Sequence, residues 1–132
     1  MWPFRKRRPE PFGSLRLGEP GMDPADYSVF TVSESRHGPT FEELWNGATE
    51  DERQARLLRR WATLVPVRDP AFGVADLAVE FDGRRACYVR PPHLGRLAAR
   101  LDTENLATLE VPALIAWGPV GPTVTLRVAD DL

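Results

Sequence analysis

Two small groups of residues are of types that could do covalent chemistry. Ser33, Glu34, Ser35 and His37 stand almost side by side, and Cys87 precedes His93 by less than two helical turns of chain. A hydroxyl or thiol becomes a nucleophile when a positioned base removes its proton. Such constellations are assembled in space from distant segments, and the sequence contains no Gly-x-Ser-x-Gly elbow. The Ser33–His37 run therefore reads as a polar connection whose side chains hydrogen-bond the backbone. Cys87 lies between Ala86 and Tyr88, where a small half-buried thiol is ordinary. Arg85 and Arg90 are the cations that a reactive thiolate there would need.

Metal and phosphate chemistry find less support. Cys87, His37 and His93 offer fewer than the four ligands of a structural zinc site, and no Cys-x-x-Cys pair occurs. Gly13 and Gly18 have the outer spacing of a phosphate-binding loop, but Glu19-Pro20 follows in place of Lys and Ser or Thr. Gly118 to Pro122 carries no base, and its two prolines remove amides that would cradle an anion. Paired acids such as Glu42/Glu43 and Glu50/Asp51/Glu52 are explained by helix capping and the helix dipole. The expectation is no catalytic residue, no metal and no cofactor.

Two signals point to binding. The first is Trp2 and Phe4 beside Arg5, Lys6, Arg7 and Arg8. Aromatic rings next to cations suit an anionic membrane surface, and the same cations can contact nucleic-acid phosphates. The prolines around them preclude an amphipathic helix, and no apolar run follows as in a signal peptide. The second is the segment Arg84 to Arg100, which holds five arginines and no acid. A guanidinium grips carboxylate or phosphate in a two-pronged fork. Arg90, Arg96 and Arg100, with Tyr88 and His93 among them, are the expected partner-binding residues, since Arg and Tyr are enriched where binding energy concentrates. The competing expectation is that these arginines pair with acids of the same chain, Arg85 with Glu80 first.

Composition frames these signals. The 132 residues carry a formal charge of −2, with 42% hydrophobic and 27% charged residues, an ordinary globular balance for a single domain. No apolar run reaches the length of a membrane-spanning helix. A lone cysteine cannot form an internal disulfide, so folding does not depend on an oxidising compartment. Arginine almost wholly replaces lysine, and Ala, Leu, Pro and Gly abound, as in coding from a GC-rich bacterial genome. The expected location is the cytoplasm, with the inner face of the membrane as a peripheral alternative.

The elements that must position these residues follow from pattern. Residues 1–25, interrupted by prolines and glycines, read as a flexible arm in which Leu15 to Leu17 can pair with a sheet edge. Residues 26–132 form the domain. Tyr27 to Val32 is a strand. Thr40 to Glu43 and Thr49 to Glu52 are capping boxes that open a short helix and a long one. The long helix is expected over Glu50 to Leu64, burying Leu57, Leu58, Trp61, Ala62, Leu64 and Val65. Val74 to Phe81 and Arg84 to Arg90 form a hairpin around Asp82-Gly83, with Glu80 opposite Arg85, Val79 opposite Ala86 and Leu77 opposite Tyr88. A third helix runs from His93 to Leu101. Residues 103–112 are ambiguous, and Ala113 to Trp117 and Thr123 to Ala129 close a second hairpin. The expected fold is α+β, a mainly antiparallel sheet packed by about three helices. The expected function is a non-enzymatic protein-binding module of adaptor, chaperone-like or immunity type, meeting an acidic protein surface. The alternative is a peripheral membrane or nucleic-acid binder using the arm.

Overall fold

The computed structural model describes residues 10–21 and 23–128. Its strands are β1 (Ser14–Arg16), β2 (Val29–Val32), β3 (Leu57–Asp69), β4 (Gly73–Phe81), β5 (Arg84–Val89), β6 (Thr108–Gly118) and β7 (Gly121–Leu126). Its α-helices are α1 (Gly38–Asn46), α2 (Glu50–Ala55) and α3 (Pro91–Thr103), with 3₁₀ turns at Pro24–Asp26 and Glu34–His37.

The fold departs from the expected helix-packed α+β sheet. β6, β3, β4, β5, β2 and β7 pair antiparallel in that order, and β7 pairs back onto β6. That closure makes a six-stranded barrel, to which β1 adds as a parallel neighbour of β6. Closure removes the exposed edges of an open sheet. β6 makes it possible by pairing with β3 along one edge while serving β1 and then β7 along the other. Pro112 stands at the handover, where its missing N–H leaves no ladder donor unpaired, and its carbonyl accepts from the Arg127 amide at 2.9 Å.

The main error of sequence reasoning lies in the long helix. α2 ends at Ala55, Arg56 takes a left-handed conformation with φ 56°, and the chain continues as β3. Leu58 and Ala62, four apart, fit both periods, while Leu64, two beyond Ala62, falls at the margin of a wide helical stripe but squarely on the even-numbered face of a strand. Long-range pairing decides: Leu58 meets Ile115, Ala62 meets Val111, and Leu64 lies between Leu109 and Val79. Trp61, expected in the buried stripe of a helix, falls on the outer side of the barrel. There the Arg16 guanidinium covers its ring at 4.1 Å.

The inner face is continuous around the barrel. Val79 pairs with Cys87, Thr31 with Val89, Val29 with Leu126, and Ile115 with Val124, and all of these are buried. Each large aliphatic side chain so buried contributes roughly 1.5–3 kcal/mol. Thr31, the polar member of this face, donates its hydroxyl to the Val124 carbonyl at 2.7 Å.

The helices close the barrel's ends. α1 and α2 link the end of β2 to the start of β3, and α3 links the end of β5 to the start of β6. In antiparallel order these connections fall at opposite ends. α1 buries Phe41, and Thr40 lies inside the helix rather than capping it, donating its hydroxyl to the Arg85 carbonyl at 2.7 Å. The Thr49–Glu52 box forms as expected, with both reciprocal bonds present. α3 buries Leu97 and Leu101 and ties to β3 through Asp102 and Arg68 at 3.3 Å. Within the segment read as an arm, Leu15 pairs with Leu109, and the Leu17 amide bonds the Glu110 carbonyl.

Candidate functional site

The hairpin of β4 and β5 sets the geometry. Asp82 and Gly83 both have positive φ, 50° and 79°, as a two-residue type I′ turn requires. Glu80 stands opposite Arg85 as expected. A bulge then intervenes, so that Val79 meets Cys87 rather than Ala86, and Tyr88 meets Ala78 rather than Leu77. One extra residue exchanges the faces of everything beyond it. Cys87 thereby turns into the barrel and Tyr88 outward.

On that outer side, Tyr88 pairs across to Val32 of β2. Just past the end of β5, the Arg90 amide donates to the Phe30 carbonyl at 3.2 Å. The four side chains form a small lattice, two from β2, one from β5 and one from the residue that follows it. The Arg90 guanidinium lies 5.7 Å from the Phe30 ring centre. Arg85 lies 5.6 Å from the Tyr88 ring and donates to its hydroxyl at 3.2 Å. The His37 ring meets Tyr88 from the 3₁₀ turn at 6.1 Å. Phe30 is 53% exposed and Val32 36%. Other exposed apolar side chains, Phe12, Phe72 and Val120, sit singly outside the strands, which is normal for a surface. Phe30 and Val32 alternate on one strand beside two guanidiniums.

The expected basic patch is divided by the structure. Tyr88 and Arg90 belong to this lattice. His93 is half-buried in the first turn of α3, and Arg96 is exposed further along it. Arg100 is engaged by Glu104 one turn on. Arg84 pairs with Glu43 at 2.7 Å and Arg85 with Glu80 at 3.7 Å, so internal pairing claims much of the Arg84–Arg100 charge. Trp2, Phe4, Arg5, Lys6, Arg7 and Arg8 lie outside the described residues. Sequence reasoning missed Phe30, Val32, Arg85 and His37 as members of one face. The signal was present in Val29-Phe30-Thr31-Val32, a run with no charged residue on either side of the strand.

Of the groups considered for covalent chemistry, Ser33 to His37 stay together at one 3₁₀ turn, while Cys87 and His93 fall on different elements. Cys87 is inside the barrel, and burial pushes its thiol up to about 12, against which a Thr31 hydrogen bond acts only in part. A thiol so placed is protonated at neutral pH and inert. His93 is on α3 and His37 faces Tyr88. Among the described residues, no three His, Cys, Asp or Glu side chains gather as metal ligands. The strongest electrostatic feature is structural. Glu52 accepts from Arg60 at 2.7 and 3.1 Å and from the Thr49 amide at 2.9 Å. The Arg60 hydrogen bond, then the Thr49 amide, lower the Glu52 carboxyl to about 2, and Glu52 in turn raises Arg60.

The fold and site thus define a small closed antiparallel barrel with an outward aromatic–arginine face. Compared with protein-family models, curated proteins and solved structures, the chain matches none. No described helix is long and apolar enough to cross a membrane.

Proposed function

We propose that this chain is a binding module whose contact face is the lattice of Phe30, Val32, Tyr88 and Arg90, flanked by Arg85 and His37. The partner is a protein with an acidic surface. The observation that carries this reading is the exposure of Phe30 and Val32 on a regular strand beside the Arg90 guanidinium. Apolar side chains on an exposed strand gain free energy only when something covers them. Arginine and tyrosine are the side chains that concentrate binding energy at interfaces. The paired guanidiniums would meet carboxylates of the partner at its rim, giving orientation more than affinity.

A second reading rests on the two guanidinium–ring stacks standing side by side. Stacking platforms next to cations are also how small barrels hold single-stranded nucleic acid. The chain's net charge of −2 opposes attraction to a polyanion, and for that reason protein is placed first. The test compares wild type with Phe30→Ser and with Arg90→Glu. Proteins captured from native lysate are identified and re-measured as purified pairs, and a labelled mixed-sequence oligonucleotide is titrated in parallel. The protein reading expects one purified partner whose affinity falls about tenfold or more in both variants. Oligonucleotide binding that is lost in the same variants, with no protein partner, transfers the face to the second reading. Affinity for every ligand that is indifferent to both variants overturns the assignment of this face.

A further inference from the structure

A recess lies at the barrel end covered by α1. Phe41, Leu44 and Trp45 recur along one side of α1 at helical spacing. Phe41 is buried, which leaves Trp45 half-exposed against Trp117 near the end of β6. The two indoles meet edge to face, with centres 5.1 Å apart and planes at 64°. The Trp117 amide bonds the Arg56 carbonyl at 3.1 Å, which fixes the left-handed corner between α2 and β3 beside the rings. The result is a cleft of about 400 Å³ lined by Phe41, Trp45, Trp117, Gly118, Glu42 and Arg56.

Two features say what the cleft would accept. Its floor is aromatic, and edge-to-face indoles present two flat apolar surfaces inclined to one another, the shape on which proline rings pack. Its rim is charged, with Glu42 and Arg56 both exposed and in no ion pair among the described residues. The acids of α1 and α2 divide between paired and unpaired. Glu43 is neutralised by Arg84 and Glu52 by Arg60, while Glu42, Glu50 and Asp51 remain exposed without an ion pair among the described residues. Arg53 turns back to the carbonyls of Trp45 and Asn46 at the end of α1. At the cleft itself the carboxylate on offer to a cation is that of Glu42.

We propose that the Trp45–Trp117 cleft docks a proline-rich peptide with a flanking arginine or lysine. Prolines of the extended peptide lie against the two indoles, Glu42 pairs with the flanking cation, and Arg56 donates to peptide carbonyls. A polyproline helix suits such a site because little chain entropy is lost on docking. The cleft shares no residue with the Phe30 face, so either can fail without the other.

The test uses the full chain and the peptide acetyl-Arg-Ala-Leu-Pro-Pro-Leu-Pro-Arg-amide. The indole N–H resonances of Trp45, Trp117 and Trp61 are followed by nuclear magnetic resonance during titration. Saturable shifts of Trp45 and Trp117, with Trp61 unmoved, are expected. The same peptide with alanine for every proline should produce none. Truncating either indole endangers the packing of α1, so the discriminating variant is the exposed Glu42→Arg. It should weaken the peptide about tenfold while binding a version with glutamate at both ends, a reversal that misfolding cannot mimic. The proposal is overturned if no shift saturates at millimolar peptide, if the proline-free peptide binds equally, or if Glu42→Arg changes nothing. Shifts of these indoles with choline or an oligonucleotide but not the peptide would also overturn it.

Discussion

The Arg90 guanidinium, just beyond β5, and the Phe30 ring of β2 lie 5.7 Å apart, joined beneath by the Arg90 amide and the Phe30 carbonyl. At an exposed site such a cation–ring contact contributes about 0.5–1 kcal/mol, too little to explain leaving a phenyl in water. What the contact does is hold the guanidinium beside the ring in the free chain. Phe30→Ser and Arg90→Glu should therefore each leave the melting temperature within about 5 °C of wild type, a change of roughly 1 kcal/mol. Thermal denaturation checks this, and a much larger drop would make the face structural.

The acid limb of stability should carry the signature of Glu52. Its folded carboxyl lies at about 2 against an ordinary 4.5, chiefly through Arg60. A depressed value means the unfolded chain binds the proton more readily, so the pair's stabilisation is complete above pH 4.5 and drains away as pH falls toward 2. Denaturant titrations of wild type and Glu52→Gln should differ by a constant amount above that window and converge within it. Thr49→Ala, which removes the cap's acceptor, should cost about 1 kcal/mol.

Trp61 and Leu64 separate the barrel from the helical alternative. In a helix Trp61 would sit in the core, and its truncation would be the costliest in the segment. In the barrel it is a half-exposed outer residue under Arg16, while Leu64 is fully buried between Leu109 and Val79. Leu64→Ala should cost about 2–5 kcal/mol, and Trp61→Ala clearly less. Chemical denaturation of the two variants gives the order directly.

Cys87 should be silent in the native protein. Its thiol is buried and protonated at neutral pH. Labelling by a thiol reagent at pH 7.5 should run ~100-fold slower in buffer than in denaturant, because reaction waits on opening of the barrel. Fast native labelling would show that β5 opens locally.

Local chemistry in the sequence located several elements. Asp82-Gly83 marked its hairpin, Thr49 and Glu52 marked a cap, and Leu94, Leu97 and Leu101 marked α3, because each depends on neighbours in the chain. What was not legible depends on distant partners. Leu58 and Ala62 satisfy helical and strand periods alike, with Leu64 at the margin of the helical stripe, and their pairing with β6 and β4 selects the strand. The bulge at Ala86 leaves no mark in composition, yet it decides that Tyr88 faces outward and Cys87 inward. Tyr88 and Arg90 were singled out by their types, and the structure sets both beside β2. Phe30 and Val32 were not, since strand residues of this kind are read as core until closure of the barrel shows which side is outside.

Site-specific photo-crosslinking bears most directly on the contact face. A benzophenone side chain is placed at position 30 in one protein and at position 120 in another, since Val120 is 95% exposed in a hairpin far along the chain. Each is irradiated in native lysate, and adducts are identified by mass spectrometry. The barrel with its Phe30–Arg90 face predicts one discrete protein adduct at position 30, absent at position 120 and lost when Arg90→Glu is added. Equal adducts at both positions, or an adduct at position 30 that survives Arg90→Glu unchanged, would contradict it.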